Sequence, residues 1–178
     1  MDLSLGMIEA TKTSLMYQEA EQVVQQHSRG KIWLIGGFVY RNLASQLYGS
    51  PKPVSDIDFI VEDADFSAVT GWDAGTTNLG GIRLRKRDQQ IDVVALAEVH
   101  TIVRRNLKPT IENYLNGTPL TIESIAYDLM ERKVIGDTGL AALYDKTVAP
   151  YDLEELRIYA GMKGIAPEEY VRSKAASL

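Results

Sequence analysis

The chain has 178 residues, of which 45% are hydrophobic and 24% charged, values typical of one globular domain that is large enough to bury its own core. It contains no cysteine, which excludes disulfides, thiolate metal sites and cysteine nucleophiles and favours a reducing, cytoplasmic compartment. The net charge of −5 counts against a protein that holds nucleic acid by itself, because such proteins present a basic face.

Apolar periodicity and the positions of glycine and proline predict a mixture of helices and strands. In chain order, the predicted elements are a helix over 6–28, a buried strand over 31–35, a helix over 38–47, a strand over 56–62, an irregular segment over 63–81, strands over 82–87 and 90–96 with a turn at residues 88 and 89, a helix over 97–106, strands over 120–128 and 133–135, and helices over 139–146, 152–162 and 167–176. This order predicts an α/β (α+β) fold, with a mixed, mostly antiparallel sheet and flanking helices. We expect residues 1–150 to form one domain with an N-terminal helix, and residues 151–178 to form a helical extension.

Neither a targeting segment nor a membrane span is expected. The start of the chain, MDLSLG, has no basic region ahead of an apolar run, as a signal peptide requires. No apolar stretch approaches the roughly 20 residues of a spanning helix. We therefore expect no membrane partner.

Two aspartates of the predicted strand over 56–62 form the first candidate site. Asp56 and Asp58 are two residues apart, and because side chains alternate along a strand, both point to one face. Neighbouring carboxylates repel each other unless a cation lies between them, and oxygen-only ligands suit Mg²⁺ or Mn²⁺. The alternative is an exposed strand edge with two solvated acids.

A third acid and a glycine pair favour the metal site. Asp92 interrupts an apolar strand, where an acid is rarely buried without a partner, although it can also lie with Gln90 on a solvated face. Gly36 and Gly37 separate a buried strand from a helix. Small residues there allow close backbone approach, and the N-terminus of the helix favours phosphate. Glycines also occur in such turns for steric reasons alone.

The order of these motifs resembles that of the DNA polymerase β-like nucleotidyltransferase superfamily, and most closely the head domain of bacterial poly(A) polymerases and CCA-adding enzymes. The segments that carry the resemblance are LIGGFV, SDIDFIV and IDVV, followed by LTIESIAYD and KVIGD. Together they cover about residues 31–148. The resemblance implies a nucleotidyltransferase fold.

The resemblance also implies a reaction. In the family, two metal ions assist the in-line attack of an acceptor on the α-phosphate of a nucleoside triphosphate, and pyrophosphate leaves. Asp56 and Asp58 would bridge the metals and the triphosphate. Asp92 would hold the catalytic metal and help to activate the acceptor hydroxyl. The implied cofactor is Mg²⁺ or Mn²⁺, and ATP is the favoured triphosphate.

Other positions bear on how the nucleotide is held. By the resemblance, Gly36 and Gly37 would lie against the phosphates and Ser55 would contact one of them. Where the family has Arg-Asp after its glycine pair, this chain has Tyr-Arg, so Arg41 either takes over the triphosphate contact or is a surface residue. The family's Asn in the segment LTIESIAYD is Glu123 here, which counts against CCA-adding or poly(A) activity.

Several further side chains have ordinary structural interpretations. Arg83, Arg85 and Arg87 alternate onto one strand face, which is more typical of a solvated face than of a triphosphate site. His27 and His100 have no partner at ligand spacing and are interpreted as surface or structural residues. The sequence therefore gives no support for Ser-His-Asp catalysis.

The resemblance and the composition leave two functions open. The first is a metal-dependent nucleotidyltransferase that transfers NMP from an NTP to an acceptor and releases pyrophosphate. Because the chain is acidic and only residues 149–178 follow the head-like region, a protein or a small molecule is favoured over RNA as the acceptor. An antitoxin that modifies a partner protein is one such role. The alternative is a non-catalytic module that binds nucleotide or a partner on the same fold.

Overall fold

The computed structural model describes residues 3–49 and 56–178, and Ser55 lies outside these ranges. Within them the chain forms eight α-helices and seven β-strands. In chain order these are α1 (Leu3–Thr13), α2 (Leu15–His27), β1 (Ser28–Ile35), α3 (Gly36–Tyr48), β2 (Asp56–Ala64), β3 (Asp73–Thr76), β4 (Ile82–Lys86), β5 (Gln89–Ala95), α4 (His100–Arg105), α5 (Ile111–Asn116), β6 (Ala126–Asp128), β7 (Lys133–Ile135), α6 (Asp137–Tyr144), α7 (Leu153–Met162) and α8 (Pro167–Ala176).

The strands form one sheet in the order β3-β4-β5-β2-β1-β6-β7, so that β2 is its central strand. Neighbouring strands are antiparallel, except that β2 and β5 run parallel. The predicted mixed, mostly antiparallel sheet with flanking helices is therefore confirmed. The parallel pair matters most for the site, because it aligns the two strands that carry the candidate acids.

Alternation along β2 divides the core between the two faces of the sheet. Ile57, Phe59 and Val61 belong to the larger hydrophobic cluster, which also contains side chains of α1, α2, α3, α7 and α8. Ile60 belongs to a smaller cluster that packs against α4 and α5. Asp58 is two residues from Ile60 and shares its face, so this acid lies on the side of the sheet that α4 and α5 cover.

Some predicted elements differ in kind from those observed. The helix predicted over 6–28 is two helices, because Ser14 has extended backbone and its side chain caps α2 by accepting from the Tyr17 N–H. The segment 63–81, predicted to be irregular, contains the short strand β3. The strand predicted over 120–128 opens with a 3-10 turn at Thr121–Glu123, and only Ala126–Asp128 pair in the sheet.

The region around β4, β5 and α4 differs in smaller ways. The hairpin turns one residue earlier than predicted, and Arg87 adopts a positive φ of 57° in that turn, so it does not continue the strand face of Arg83. The helix predicted over 97–106 begins only at His100, after a 3-10 turn at Leu96–Glu98. Helix α5 was not predicted, although Thr110 caps it by accepting from a backbone N–H.

The last two helices pack on the main body of the protein. Leu156 and Ala160 of α7 and Tyr170 of α8 are buried in the larger hydrophobic cluster. The division of the chain after residue 150 stays a prediction. No helix in the described ranges is long and apolar enough to cross a membrane.

Candidate active site

The parallel pairing of β2 with β5 brings two of the predicted acids together. Asp58 is the direct register partner of Asp92, and Asp56 is the partner of Gln90. Directly paired residues on neighbouring strands point to the same face of the sheet, so Asp58 and Asp92 lie side by side. Asp56, one alternation earlier on β2, points the same way.

Gly36 allows the close approach of the β1–α3 turn to this acid pair. Its φ is +69°, in the left-handed region that favours glycine. A Cβ atom at this position would lie 2.4 Å from Asp58 Oδ2 and 3.2 Å from its Cγ. The absence of a side chain on Gly36 thus leaves the space that the carboxylate of Asp58 occupies, and any larger residue at this position would clash with it.

The other predicted nucleotide-binding residues are placed less tightly. A Cβ atom on Gly37 would lie 3.6 Å from Arg41 Cζ, an ordinary contact, so close packing does not require this glycine. The Arg41 guanidinium lies 5.9 Å from the centroid of the Tyr40 ring. Among the described residues, Gly36 and Gly37 line the cleft beside the acids and Arg41 does not. The roles of Arg41 and Ser55 stay predictions.

A cleft of about 360 Å³ opens over the acid pair. One wall comes from the β1–α3 turn, β2 and β5, and the opposite wall from α5 and the C-terminal helices α7 and α8. The residues that line it include Gly36, Asp58, Arg83, Asp92, Glu123 and Lys174. The C-terminal helices therefore border the same cleft as the predicted metal ligands.

The environment of Asp58 opposes its negative charge. Burial raises the pKa of Asp58 to about 7, and the charges of Asp56 and Asp92 add to this shift, while Lys174 opposes it. Near neutral pH this carboxyl therefore lies close to its titration midpoint in the protein without metal. A bound cation would favour the charged form.

Arg83 holds the third acid. Its Nε donates to Asp92 Oδ1 over 2.7 Å and its Nη2 donates to Oδ2 over 2.5 Å, a two-point ion pair in which the side chains are 29% and 17% exposed. The prediction that Arg83 belongs to a solvated strand face is therefore wrong. Its register partner across β4 and β5 is Asp92 itself, and this non-local pairing was not evident from the sequence.

The ligand chemistry of the three carboxylates fits a hard divalent cation. All the donor atoms are oxygens, which Mg²⁺ and Mn²⁺ prefer, and a cation would relieve the repulsion around Asp58. Within residues 3–49 and 56–178, no three Asp, Glu or His side chains are already arranged as a metal site. Both oxygens of Asp92 accept from Arg83. A metal at Asp92 would therefore share this carboxylate with the guanidinium or displace it.

Two residues on the far wall form a second charged pair. Lys174 Nζ of α8 lies 2.7 Å from Glu123 Oε1, and the side chains are 23% and 13% exposed. The Tyr170 hydroxyl donates to the same oxygen over 3.3 Å. Sequence reasoning identified Glu123 as a departure from the family pattern but did not single out Lys174. The basic residue in the last turn of a C-terminal helix was an available but unspecific signal.

His100 has a partner that sequence reasoning missed. Its Nδ1 lies 3.5 Å from Oε2 of Glu155, a fully buried carboxylate of α7 that also pairs with Arg104. His100 also lines the cleft. Its place beside Glu155 agrees with the structural alternative of the sequence interpretation, although the sequence did not indicate this partner. This cluster joins α4 to α7 and fixes the C-terminal helices against the cleft.

Comparison with known proteins gives a fold. No model of a protein family matches the sequence, and no curated protein is significantly similar to it. A CCA-adding enzyme in an apo form matches with a TM-score of 0.58 and 16% identity, over 85% of this chain and 38% of that chain. The Bacillus stearothermophilus CCA-adding enzyme in complex with CTP matches with a TM-score of 0.52 and 19% identity, over 82% of this chain and 36% of that chain. A tRNA nucleotidyltransferase complexed with a primer tRNA and an incoming ATP analog matches with a TM-score of 0.50 and 19% identity, over 91% of this chain and 50% of that chain.

The chain therefore has the polymerase β-like nucleotidyltransferase fold, in the form of the head domain. It spans half or less of the length of these three structures. The fold prediction is confirmed.

Proposed function

We propose that this chain is a metal-dependent nucleotidyltransferase, which transfers NMP from an NTP to an acceptor and releases pyrophosphate. The observation that supports this most strongly is the direct pairing of Asp58 with Asp92 beside Gly36. The three residues border one cleft in a nucleotidyltransferase fold. The sheet thus presents two carboxylates together at the place where a glycine leaves room for the carboxylate of Asp58.

Asp56, Asp58 and Asp92 are the proposed ligands of Mg²⁺ or Mn²⁺, in a two-metal site as in the family that the sequence resembles. The metal would stabilise the negative charge that develops on the α-phosphate and on the departing pyrophosphate. Gly36 and Gly37 would hold the phosphates against their backbone, since the turn leads into the N-terminus of α3.

The transfer step balances as a displacement at phosphorus. The acceptor oxygen forms a bond to the α-phosphorus, the bond from that phosphorus to the bridging oxygen breaks, and pyrophosphate leaves with the electron pair. Asp92 would accept the proton of the acceptor hydroxyl, which requires that Arg83 release at least one of its oxygens. Arg41 and Ser55 are proposed as further phosphate contacts.

The proposed donor is ATP and the proposed acceptor is a protein side chain or a small molecule. Two of the structural neighbours were solved with CTP or with an ATP analog, which supports a nucleotide as the ligand of this cleft. One of them was solved with tRNA. The acidic balance of this chain, at −5, favours a non-RNA acceptor, and a partner protein in an antitoxin-type pair fits this description.

A second function is favoured by one observation. The two-point ion pair of Arg83 with Asp92 occupies both oxygens of a proposed metal ligand. A domain in which this ion pair persists would bind a nucleotide or a partner protein without catalysing nucleotidyl transfer. The two functions differ in whether pyrophosphate is released.

The test is incubation of the chain with Mg²⁺ or Mn²⁺ and each labelled NTP, with candidate acceptors, followed by measurement of pyrophosphate and of label on protein. We expect release with at least one NTP and loss of release in Asp58→Asn. Asp63→Asn is the matched control, because Asp63 is an exposed acid farther along β2. Binding of nucleotide without release for all four NTPs would favour the binding module instead. Unchanged Mn²⁺ affinity in Asp58→Asn would contradict the proposed metal site.

A further inference from the structure

The last helix brings a lysine to the wall of the carboxylate cleft. Lys174 lies in the last turn of α8, and Tyr170 lies one turn earlier on the same helical face. Tyr170 is 2% exposed and belongs to the larger hydrophobic cluster, so it fixes the position of α8. This anchored helix holds Lys174 at the cleft, which the residue lines with a side chain that is 23% exposed.

The ammonium of Lys174 has several neighbours, and one of them is an anion. Its Nζ lies 2.7 Å from Glu123 Oε1, and it lies 5.9 Å and 5.6 Å from the ring centroids of Tyr40 and Tyr170. Burial alone would lower the pKa of Lys174, but Glu123 and the two tyrosines outweigh this, and the net pKa is raised. The lysine therefore stays charged at any pH at which the chain works.

A lysine ammonium has three N–H donors, whereas the ion pair with Glu123 uses one carboxylate oxygen. Lys174 also lines the same cleft as Asp58 and Asp92, so its charge lies on a wall of the cleft that contains these acids. Arg83, another partly exposed cation that lines the cleft, already has two of its nitrogens on Asp92. Lys174 is thus the cation of α8 that can bind the phosphates of a nucleotide that lies against Asp58 and Asp92.

From this juxtaposition we propose that Lys174 binds the β- or γ-phosphate of the nucleotide and that Glu123 is its counter-ion when no nucleotide is bound. This inference rests on the proposed function, since it assumes that a nucleotide enters the cleft. Lysine is a common phosphate ligand because it carries a compact point charge. The ammonium would then be shared between Glu123 and phosphate, and helix α8 would belong to the active site.

Glu123 has the opposite effect on the same ligand. Its Oε2 is buried and has no hydrogen-bond partner among the described residues. It adds negative charge next to the path of the triphosphate and withdraws Lys174 from it. Substitution of this carboxylate by the isosteric amide should therefore strengthen phosphate binding, whereas loss of Lys174 should weaken it.

The experiment compares four variants by calorimetric titration with magnesium tripolyphosphate and, separately, with AMP. Glu123→Gln removes the counter-ion, and Glu123→Gln/Lys174→Met removes both charges at once, so that no buried charge is left unpaired to unfold α8. Arg172→Met is the control, because it removes an exposed cation from the same helix. Thermal melts establish that each variant is folded, and Lys174→Arg tests whether charge alone is enough.

We expect Glu123→Gln to bind tripolyphosphate more tightly than the unaltered chain, and the double variant to bind it about tenfold or more weakly than Glu123→Gln, the loss of one charged hydrogen bond. AMP binding should be the same in both, because AMP lacks the outer phosphates. Equal tripolyphosphate affinity in Glu123→Gln and the double variant would overturn the inference and leave Lys174 as a helix anchor only. Failure of the unaltered chain to bind ATP or tripolyphosphate at all would instead overturn the proposed function, and this inference with it.

Discussion

Substitution of Gly36 by alanine tests whether Asp58 depends on the space that the glycine leaves. The new Cβ would lie 2.4 Å from Asp58 Oδ2, so the carboxylate must move by about an ångström to restore an ordinary contact. Gly49, at the other end of α3, is a matched control. Its φ of +70° is nearly the same as the +69° of Gly36, and no atom of the described residues would lie within 4 Å of its Cβ.

Both substitutions place a side chain in the left-handed region, which costs about 1–2 kcal/mol. In a chain of this size, each kcal/mol lowers the melting temperature by about 2–4 °C, so both variants should show a similar, modest loss of stability. Gly36→Ala alone also displaces a proposed metal ligand. Disturbance of the groups that support a ligand commonly reduces metal affinity about 10- to 100-fold. Only Gly36→Ala should therefore lose Mn²⁺ affinity to this extent.

The assay combines thermal melts of the metal-free proteins with titration of Mn²⁺, followed by the signal of the free ion in electron paramagnetic resonance. Similar melting temperatures show that the strain of the positive φ is matched between the two variants. The difference in Mn²⁺ affinity then reports the contact with Asp58. If Gly36→Ala and Gly49→Ala bind Mn²⁺ equally well, the carboxylate of Asp58 is not a metal ligand in this position.

Three further predictions follow from the charges. The pKa of Asp58 is raised to about 7, so the folded chain holds a proton on this carboxyl that the unfolded chain loses above about pH 4. The free energy of unfolding of the metal-free protein should therefore fall as pH rises from 4 to 7, by at most about 4 kcal/mol. Urea titrations of Asp58→Asn should lack this fall. Arg83→Met should increase Mn²⁺ affinity, because it removes the guanidinium that pairs with Asp92. Arg85→Met should not, because it loses only a hydrogen bond to the amide of Gln90. Equal Mn²⁺ affinities of the two variants would show that the Arg83 guanidinium does not compete with metal. Glu155→Ala should lower the free energy of unfolding by about 3–5 kcal/mol in chemical denaturation, because this buried carboxylate pairs with Arg104. Glu154→Ala removes the exposed partner of the same arginine and should lower it by about 1 kcal/mol or less. Similar losses in the two variants would contradict a stabilising role of the buried ion pair between α4 and α7.

The sequence predicted the acids and the sheet for the same physical reason. A period of two along β2 places Asp56 and Asp58 on one face, and an acid inside the apolar strand β5 indicates a partner for Asp92. The alignment of Asp58 with Asp92 could not be read from these patterns, because register between distant strands depends on the whole fold. The family resemblance implied that these acids meet, and the parallel pairing accounts for how they do so.

Side-chain partners that come from distant parts of the chain could not be predicted. The alternation of Arg83 and Arg85 along β4 is that of a solvated face, yet cross-strand register sets the first opposite an acid and the second opposite Gln90. Lys174 appeared as one of several charges on a short polar helix. Its role depends on where α8 packs, which is set by the burial of Tyr170 and is not encoded in any local pattern.

The cleft contains its own neutralising charges, which would link the proposed binding of metal to that of nucleotide. Arg83 balances Asp92, and Lys174 balances Glu123. If the aspartates held a metal, Arg83 would compete with it for Asp92, and a triphosphate would offer the guanidinium another anion. A triphosphate that drew both cations away from the carboxylates would likewise leave those carboxylates freer to bind metal. Each ligand would thus weaken a competitor of the other, and because such coupling is reciprocal, Mn²⁺ and tripolyphosphate should each tighten the binding of the other by the same factor.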